Sequence, residues 1–300
     1  MTVSYQHTVA GPAIFAGIGL HSGSHVRVAI RPAAADAGIV FVRTDVRDRD
    51  NRVPVTGRAV SNTRLSTVIS NPIGVSVATI EHLMAALAAL NIDNAIIELD
   101  GPECPIMDGS AAPFVRILDR AGRKRQDAVR RFIEVLEPIE VVSGDKGARL
   151  LPCDRFEVAF EIAFDSAAIG RQSVDLVLTE QSFREELSNC RTFGFLAEVE
   201  ALRAVGLARG GSMENAVVID GDRILNEEGL RRPNEFVRHK ALDAIGDLYV
   251  LGAPLLGRFE GYLAGHALNN DLVRALLANP QAWRHRPAAQ AVDRSLAKVG

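Results

Sequence analysis

The stretch RHKALDAIGDL, Arg238 to Leu248, governs how the rest of the chain is read. Leu242, Ile245, Leu248 and the following Tyr249 recur at helical spacing and form an apolar stripe, so the segment is expected to be a helix. On it His239, Asp243 and Asp247 recur at every fourth residue, which places their side chains on one face. The polar side of an amphipathic helix is ordinarily solvated, and that alone accounts for such a row. A second stretch makes the row worth a chemical test. EHLMAALAAL, Glu81 to Leu90, superposes on it with His82 over His239, Met84 over Ala241, Ala85 over Leu242 and Ala88 over Ile245. Each helix then runs into a strand-like piece, NIDNAIIELD in the first case and PLLGRFEGYL in the second. The two halves therefore read as repeats of one α+β plan, a first domain at 1–126 and a second at 127–300, with a site between them geometrically natural.

Composition bounds what such a site can serve. The 300-residue chain is 47% hydrophobic and 24% charged, the balance of a soluble globular protein. A formal net charge of −3 is no polyelectrolyte signature, so no nucleic-acid partner is expected. The densest basic run, Arg123-Lys124-Arg125 through Arg130-Arg131, reads as a solvated connector. The first residues, with Pro12 among them, show neither a basic start nor a cleavage pattern, and no apolar run approaches the roughly 18 residues of a membrane span. A cytoplasmic location without a transmembrane segment is expected. Cys104, Cys153 and Cys190 are odd in number and far apart, which fits neither a disulfide framework nor a Cys-rich zinc site. Any metal must then be held by His, Asp or Glu.

Short alternating segments such as HVRVAI and GIVFVRT predict strands with tight turns before residue 60, and RFIEVLEPIEVV and FEVAFEIAF predict more of them later. Thr79 is expected to cap the helix of Glu81, and Ser110 the one that follows in SAAPFVRIL.

Of the 7 histidines, His82, His239 and His266 lie in stretches otherwise built of helix formers or small residues. One such histidine is usually a surface or satisfied core residue; three, two of them beside carboxylates, invite a metal reading. His239 and Asp243 at i and i+4, joined by His82 from the other half, make a set of two imidazoles and one carboxylate. That set suits Zn2+ with a fourth position open, and it also suits Fe2+. Glu81 precedes His82 and so points about 100° away around the helix, from where it reaches a water on the ion rather than the ion itself. This is the position of a general base. No second histidine lies four residues after His82, so the pattern is not HExxH. Thr192 in CRTFGF can donate to a developing oxyanion, and His266 in GHALNN can supply a protonated imidazole as acid or electrostatic stabiliser. Asp247 can orient or charge a neighbouring histidine. A strand threonine, a helix-capping histidine and an exposed helix carboxylate are the plain alternatives for these three.

TIEHL, DGPECPIMDGSAAPF, CRTFGF, FVRHKALDAIGDL and GHALNN, in this order, with GIGLHSG near the start and RILNEEGLR further on, resemble the zinc-dependent UDP-3-O-acyl-N-acetylglucosamine deacetylases of Gram-negative lipid A biosynthesis. The likeness covers nearly the whole chain. It implies hydrolysis of an amide: removal of the acetyl group from UDP-3-O-acyl-N-acetylglucosamine by a metal-activated water. By the same likeness His82, His239 and Asp243 match the zinc ligands, Glu81 the base, His266 the catalytic histidine and Thr192 the oxyanion donor. Asp247 and Lys240 match polar active-site positions, Phe193 a position at the substrate, and Phe164 and Lys146 positions near the nucleotide. The fold implied is two similar α+β domains, each a mainly antiparallel sheet with two helices, the helices packed between the sheets. A βαβ insert near 193–220 would line an apolar passage for the fatty acyl chain, with Leu196, Val199 and Leu202 as its wall. The partner expected is thus the small-molecule substrate, bound by a monomer. One departure stands out: relatives often carry a basic residue shortly before the GH of GHALNN, where this chain has Leu263, leaving Lys240 and Lys146 as candidates for a phosphate contact. Two rival readings are a metal amidohydrolase for another acylated sugar and a zinc-stabilised sugar-nucleotide binding protein.

Overall fold

A computed structural model describes residues 4–288. Within it two sheets are built to the same plan. In the first, the strands run in the order Ala13–Ile18, His25–Pro32, Ala95–Leu99, Ile39–Arg43, Arg52–Pro54. In the second, the order is Ile139–Ser143, Lys146–Leu151, Leu255–Tyr262, Phe156–Ala163, Arg171–Val177. In both, the central strand pairs antiparallel with the second and parallel with the fourth, and the two outer pairs are antiparallel. Shared order and shared directions make the repeat a property of the fold. The second sheet is widened by Arg131–Val135, parallel to the start of Leu255–Tyr262, and by Trp283–Pro287.

The helices are α1 (Glu81–Ala89), α2 (Ala112–Ala121), α3 (Glu180–Ser182, continuing into a π turn at Phe183–Leu187), α4 (Leu196–Ala204), α5 (Glu235–Tyr249) and α6 (His266–Ala278). Helices α1 and α5 pack on each other; α2 lies on Ala13–Ile18, α5 on Phe156–Ala163 and Arg171–Val177, and α6 on Ile139–Ser143 and Lys146–Leu151. One apolar core therefore runs from Val26, Val28 and Ile30 of the first sheet, through Leu83, Leu87, Leu242 and Ile245, to Val158, Phe160 and Phe259 of the second. No helix among the described residues is long and apolar enough to cross a membrane.

The α1/α5 contact is unusually close. A Cβ added at Gly246 would fall 2.0 Å from the carbonyl oxygen of Glu81, so only glycine lets the two backbones touch there. The polar row of α5 is consequently not solvated: His239, Asp243 and Asp247 are all buried. The insert takes the expected form, Phe193–Phe195 and Val217–Asp220 being parallel and joined through α4.

Three expectations need correction. The basic run is not a solvated connector: Arg123–Val129 is a strand paired antiparallel with Tyr5–Val9, and the expected boundary at 126/127 falls inside it. Two of its charges have specific partners. The Arg125 guanidinium lies 3.7 Å from the centre of the Tyr5 ring, and Arg130, buried, binds Asp93 at 2.6 Å. Thr79 does not cap α1; its backbone is left-handed at φ 56°, a costly conformation for a β-branched residue, and its hydroxyl donates to Glu103 instead. The cap position of α2 is Ala111, although the Ser110 hydroxyl still accepts from the Ala112 N–H at 3.3 Å.

Candidate metal centre

Four residues of α5 spaced by four, Glu235, His239, Asp243 and Asp247, form a buried polar row along the helix. In its middle, Asp243 Oδ1 lies 3.3 Å from His82 Nε2 and 3.3 Å from His239 Nε2. The two imidazoles meet edge to face with centroids 4.9 Å apart, and the three candidate ligand atoms lie within 4.8 Å of one another. Asp243 Oδ1 is buried and receives no hydrogen bond from the described residues. A buried carboxylate oxygen left so costs about 1–3 kcal/mol or more, which a cation between it and the two nitrogens would offset. Two imidazoles and a carboxylate fit a divalent ion of the Zn2+ or Fe2+ type.

The protonation states suit ligands. Burial pushes the His239 imidazole down to about 4, so the ring is neutral, and its Nδ1 lies 3.0 Å from the Cys190 carbonyl oxygen. That acceptor fixes the tautomer with Nδ1 protonated and Nε2 free. Burial opposes the Asp243 charge, but His239 and Lys240 outweigh it and hold the carboxyl well below its usual range.

Beside these three side chains stand a carboxyl and an imidazole. Glu81 opens α1, and its Oε1 lies 3.9 Å from His266 Nε2 at the start of α6. Burial raises the Glu81 carboxyl above its ordinary value. On the far side of His266, Nδ1 donates to Asp247 Oδ2 at 2.8 Å. Burial works against the imidazolium, yet the Asp247 charge and hydrogen bond, with Glu81 beyond, push it up to about 9. Two neighbouring groups are thus shifted so that the carboxyl gains basicity and the imidazole keeps its proton.

The centre opens into a cavity of about 530 Å3 bordered by Thr192, Phe193, Lys240, Phe164, Lys146 and Leu263. Arg64, in the turn NTRLST, borders it as well. Phe164 and Phe193 stack edge to face at 5.9 Å, Lys146 is exposed, and Lys240 Nζ lies 3.2 Å from Asp243 Oδ2. A second cavity of about 520 Å3 runs under the insert, walled by Leu196, Val199, Leu202 and Met213. Thr192, Phe193 and Gly194 border both, so the polar chamber and the apolar arm meet at that strand.

Every candidate named from the sequence thus lies at the centre or around its two cavities, but several residues that hold the site were not foreseen. Arg191 and Glu235, 1% and 0% exposed at their side chains, form a buried ion pair at 3.0 Å. Glu235 also accepts from the Arg191 N–H at 2.9 Å, which ties the segment carrying Cys190 and Thr192 to the start of α5. Extending the row of His239 back by four residues would have found Glu235. Thr67 and Asn269, which both bind Asp247, carry no comparable signal.

Comparison with known proteins accords with this geometry. The profile of the family described as UDP-3-O-acyl N-acetylglycosamine deacetylase matches residues 6–278. A UDP-3-O-acyl-N-acetylglucosamine deacetylase of Phenylobacterium zucineum is 70% identical over 286 residues, 95% of this chain and 98% of the relative. One from Acidithiobacillus ferrooxidans is 51% identical over 93% of this chain and 91% of its own length, and one from Shewanella frigidimarina 50% over 93% and 92%. With the match running through both sheets and all the helices that meet at the His82, His239 and Asp243 cluster, the chain belongs to the UDP-3-O-acyl N-acetylglycosamine deacetylase family.

Proposed function

We propose that the chain is a cytoplasmic, monomeric, zinc-dependent amidohydrolase. It removes the N-acetyl group of UDP-3-O-acyl-N-acetylglucosamine, giving acetate and UDP-3-O-acyl-glucosamine, the committed step of lipid A biosynthesis. The observation that carries the reading is the placing of Glu81 and His266, 3.9 Å apart, beside three buried ligand-type side chains. The names of the relatives support the substrate, as does a polar chamber joined to an apolar arm.

His82, His239 and Asp243 would hold the metal, whose chemistry there would be to acidify a water and to polarise the amide carbonyl. Glu81 accepts the proton that the attacking water gives up, and its raised basicity suits the task. The Thr192 hydroxyl donates to the carbonyl oxygen as charge grows there. The His266 imidazolium protonates the departing nitrogen, so the C–N bond breaks to release a neutral amine. Asp247 holds His266 in the charged form. Lys146 and Phe164 take the nucleotide end, Lys240 and Phe193 border the sugar, and Leu196, Val199 and Leu202 wall the acyl arm. The half of the chain with the first sheet supplies Glu81 and His82, and the half with the second supplies the rest.

Chelation should abolish deacetylation of the acylated UDP-sugar, and added zinc should restore it; metal analysis of the purified protein separates Zn2+ from Fe2+. Glu81→Ala should keep its metal and lose about 10²- to 10⁴-fold in turnover. Normal turnover by that variant would remove Glu81 as base. Equal activity on UDP-N-acetylglucosamine lacking the acyl chain would overturn the substrate.

A further inference from the structure

Thr67 lies at the end of the turn NTRLST, between the strands Val60–Asn62 and Val68–Ser70 of a small sheet, and is buried. All three of its polar groups are engaged. Its N–H donates to Glu81 Oε2 at 3.1 Å, its hydroxyl donates to Asp247 Oδ1 at 2.5 Å, and its carbonyl accepts from the Ile80 N–H at 3.4 Å. One residue thus touches the carboxylate assigned as base and the carboxylate that charges His266, which come from opposite halves of the chain.

The hydroxyl contact has a specific consequence for Asp247. That carboxylate accepts three hydrogen bonds: from Thr67 on Oδ1, and from His266 Nδ1 and the Asn269 amide on Oδ2. The Thr67 bond is the only one on Oδ1 among the described residues, so it sets the rotation of the carboxylate about its Cβ–Cγ bond. Without it, Oδ1 is a buried acceptor with no donor, and the group is free to turn about that bond. Such a turn weakens the hold on the His266 imidazolium. Meanwhile the N–H of the same residue orients Glu81, so the two carboxylates are registered against one short stretch of backbone.

We infer that Thr67 is a positioning residue for the reaction: its hydroxyl aligns Asp247, and through it His266, while its backbone N–H aligns Glu81. This rests on the roles assigned above to Glu81 and His266.

Thr67→Val keeps the shape and the N–H and removes only the hydroxyl, whereas Thr67→Ser restores it. Measured on the metal-loaded enzyme with the acylated UDP-sugar, Thr67→Val should lose about 10- to 100-fold in kcat with KM changed by less than about threefold, the scale of a hydrogen bond to a charged group. Thr67→Ser should return most of kcat. In an Asp247→Asn background the valine change should cost nothing further, since the path it acts through is already broken. Thermal denaturation of each variant separates this from unfolding. The inference is overturned if Thr67→Val turns over like the parent, if serine fails to restore kcat while folding normally, or if the valine loss persists in the Asp247→Asn background. Glu81→Ala run in parallel keeps the two ideas apart: normal turnover there removes the base assignment, while loss there with a fully active Thr67→Val removes only the role of Thr67.

Discussion

Asp247 accepts a hydrogen bond from Nδ1 of His266 at 2.8 Å, while Glu81 Oε1 stands 3.9 Å from the other nitrogen of the same ring. The imidazole is therefore bracketed by two carboxylates, one that keeps it charged and one that works beside it. The His266 charge is present below about 9 and is lost as pH rises through that value. Glu81 runs the other way: its carboxylate exists only above a value raised from the ordinary 4.5. A profile of kcat/KM against pH should be a bell, with its acid limb above 4.5 and its alkaline limb near 9. Asp247→Asn should move the alkaline limb to lower pH. A limb that stays in place in that variant belongs to another group.

Metal loading should be visible as stability. Asp243 Oδ1 receives no hydrogen bond among the described residues, so an ion at this point relieves a buried charge as well as adding ligand bonds. At a thousandfold excess of metal over its Kd the folded state gains about 4 kcal/mol by mass action. Zinc added to the chelated protein should raise Tm by several degrees, and should leave Tm unchanged in Asp243→Ala.

Glu235→Ala should be among the more destabilising changes outside the apolar core. It strips a carboxylate from the buried Arg191, although Glu228 still binds the far end of that guanidinium at 2.5 Å. A cost of about 3 kcal/mol, the lower end for a broken buried pair, should appear in a denaturant titration. Turnover should fall as well, because Thr192 follows Arg191 directly.

The apolar arm makes a separable prediction. Leu202→Trp places a large ring in the wall of a cavity of about 520 Å3. It should lower kcat/KM on the long-chain substrate by at least about tenfold and leave the slow reaction on a short-chain analogue little changed. Equal losses on both would place the acyl chain elsewhere.

Gly246→Ala should fail for a reason unrelated to chemistry, since the new Cβ would sit 2.0 Å from the Glu81 carbonyl oxygen. Forcing the helices apart should cost about 1–3 kcal/mol and lower activity together with Tm.

Much of this was legible in the sequence because it is periodic. The spacing of Leu242, Ile245 and Leu248 marked a helix, and the superposition of His82 on His239 marked the repeat that the matching strand orders display. What spacing does not carry is which polar face is covered: the row of α5 is buried because α1 lies on it, a relation between segments far apart in the chain. Main-chain partners are equally silent, as with the Cys190 carbonyl at His239 and the Thr67 N–H at Glu81, since any residue type has those groups. The basic strand Arg123–Val129 does not show itself because charge outweighs pattern, the strand it pairs with, Tyr5–Val9, being nowhere near it in sequence.

The contact of Gly246 with the Glu81 backbone also separates what can adjust around this site from what cannot. Where main chain rests on main chain, the spacing between Glu81 and His82 on one side and His239 and Asp243 on the other is set by backbone contact, with no side-chain rotamer available to relax it. A bulky ligand gains nothing by prying at that floor. Adjustment to chain length or to a foreign molecule has to come from the rim, where residues 63–65, the α4 insert and the backbone around Leu263 border the cavities. Discrimination among ligands by this chain is then decided at those loops.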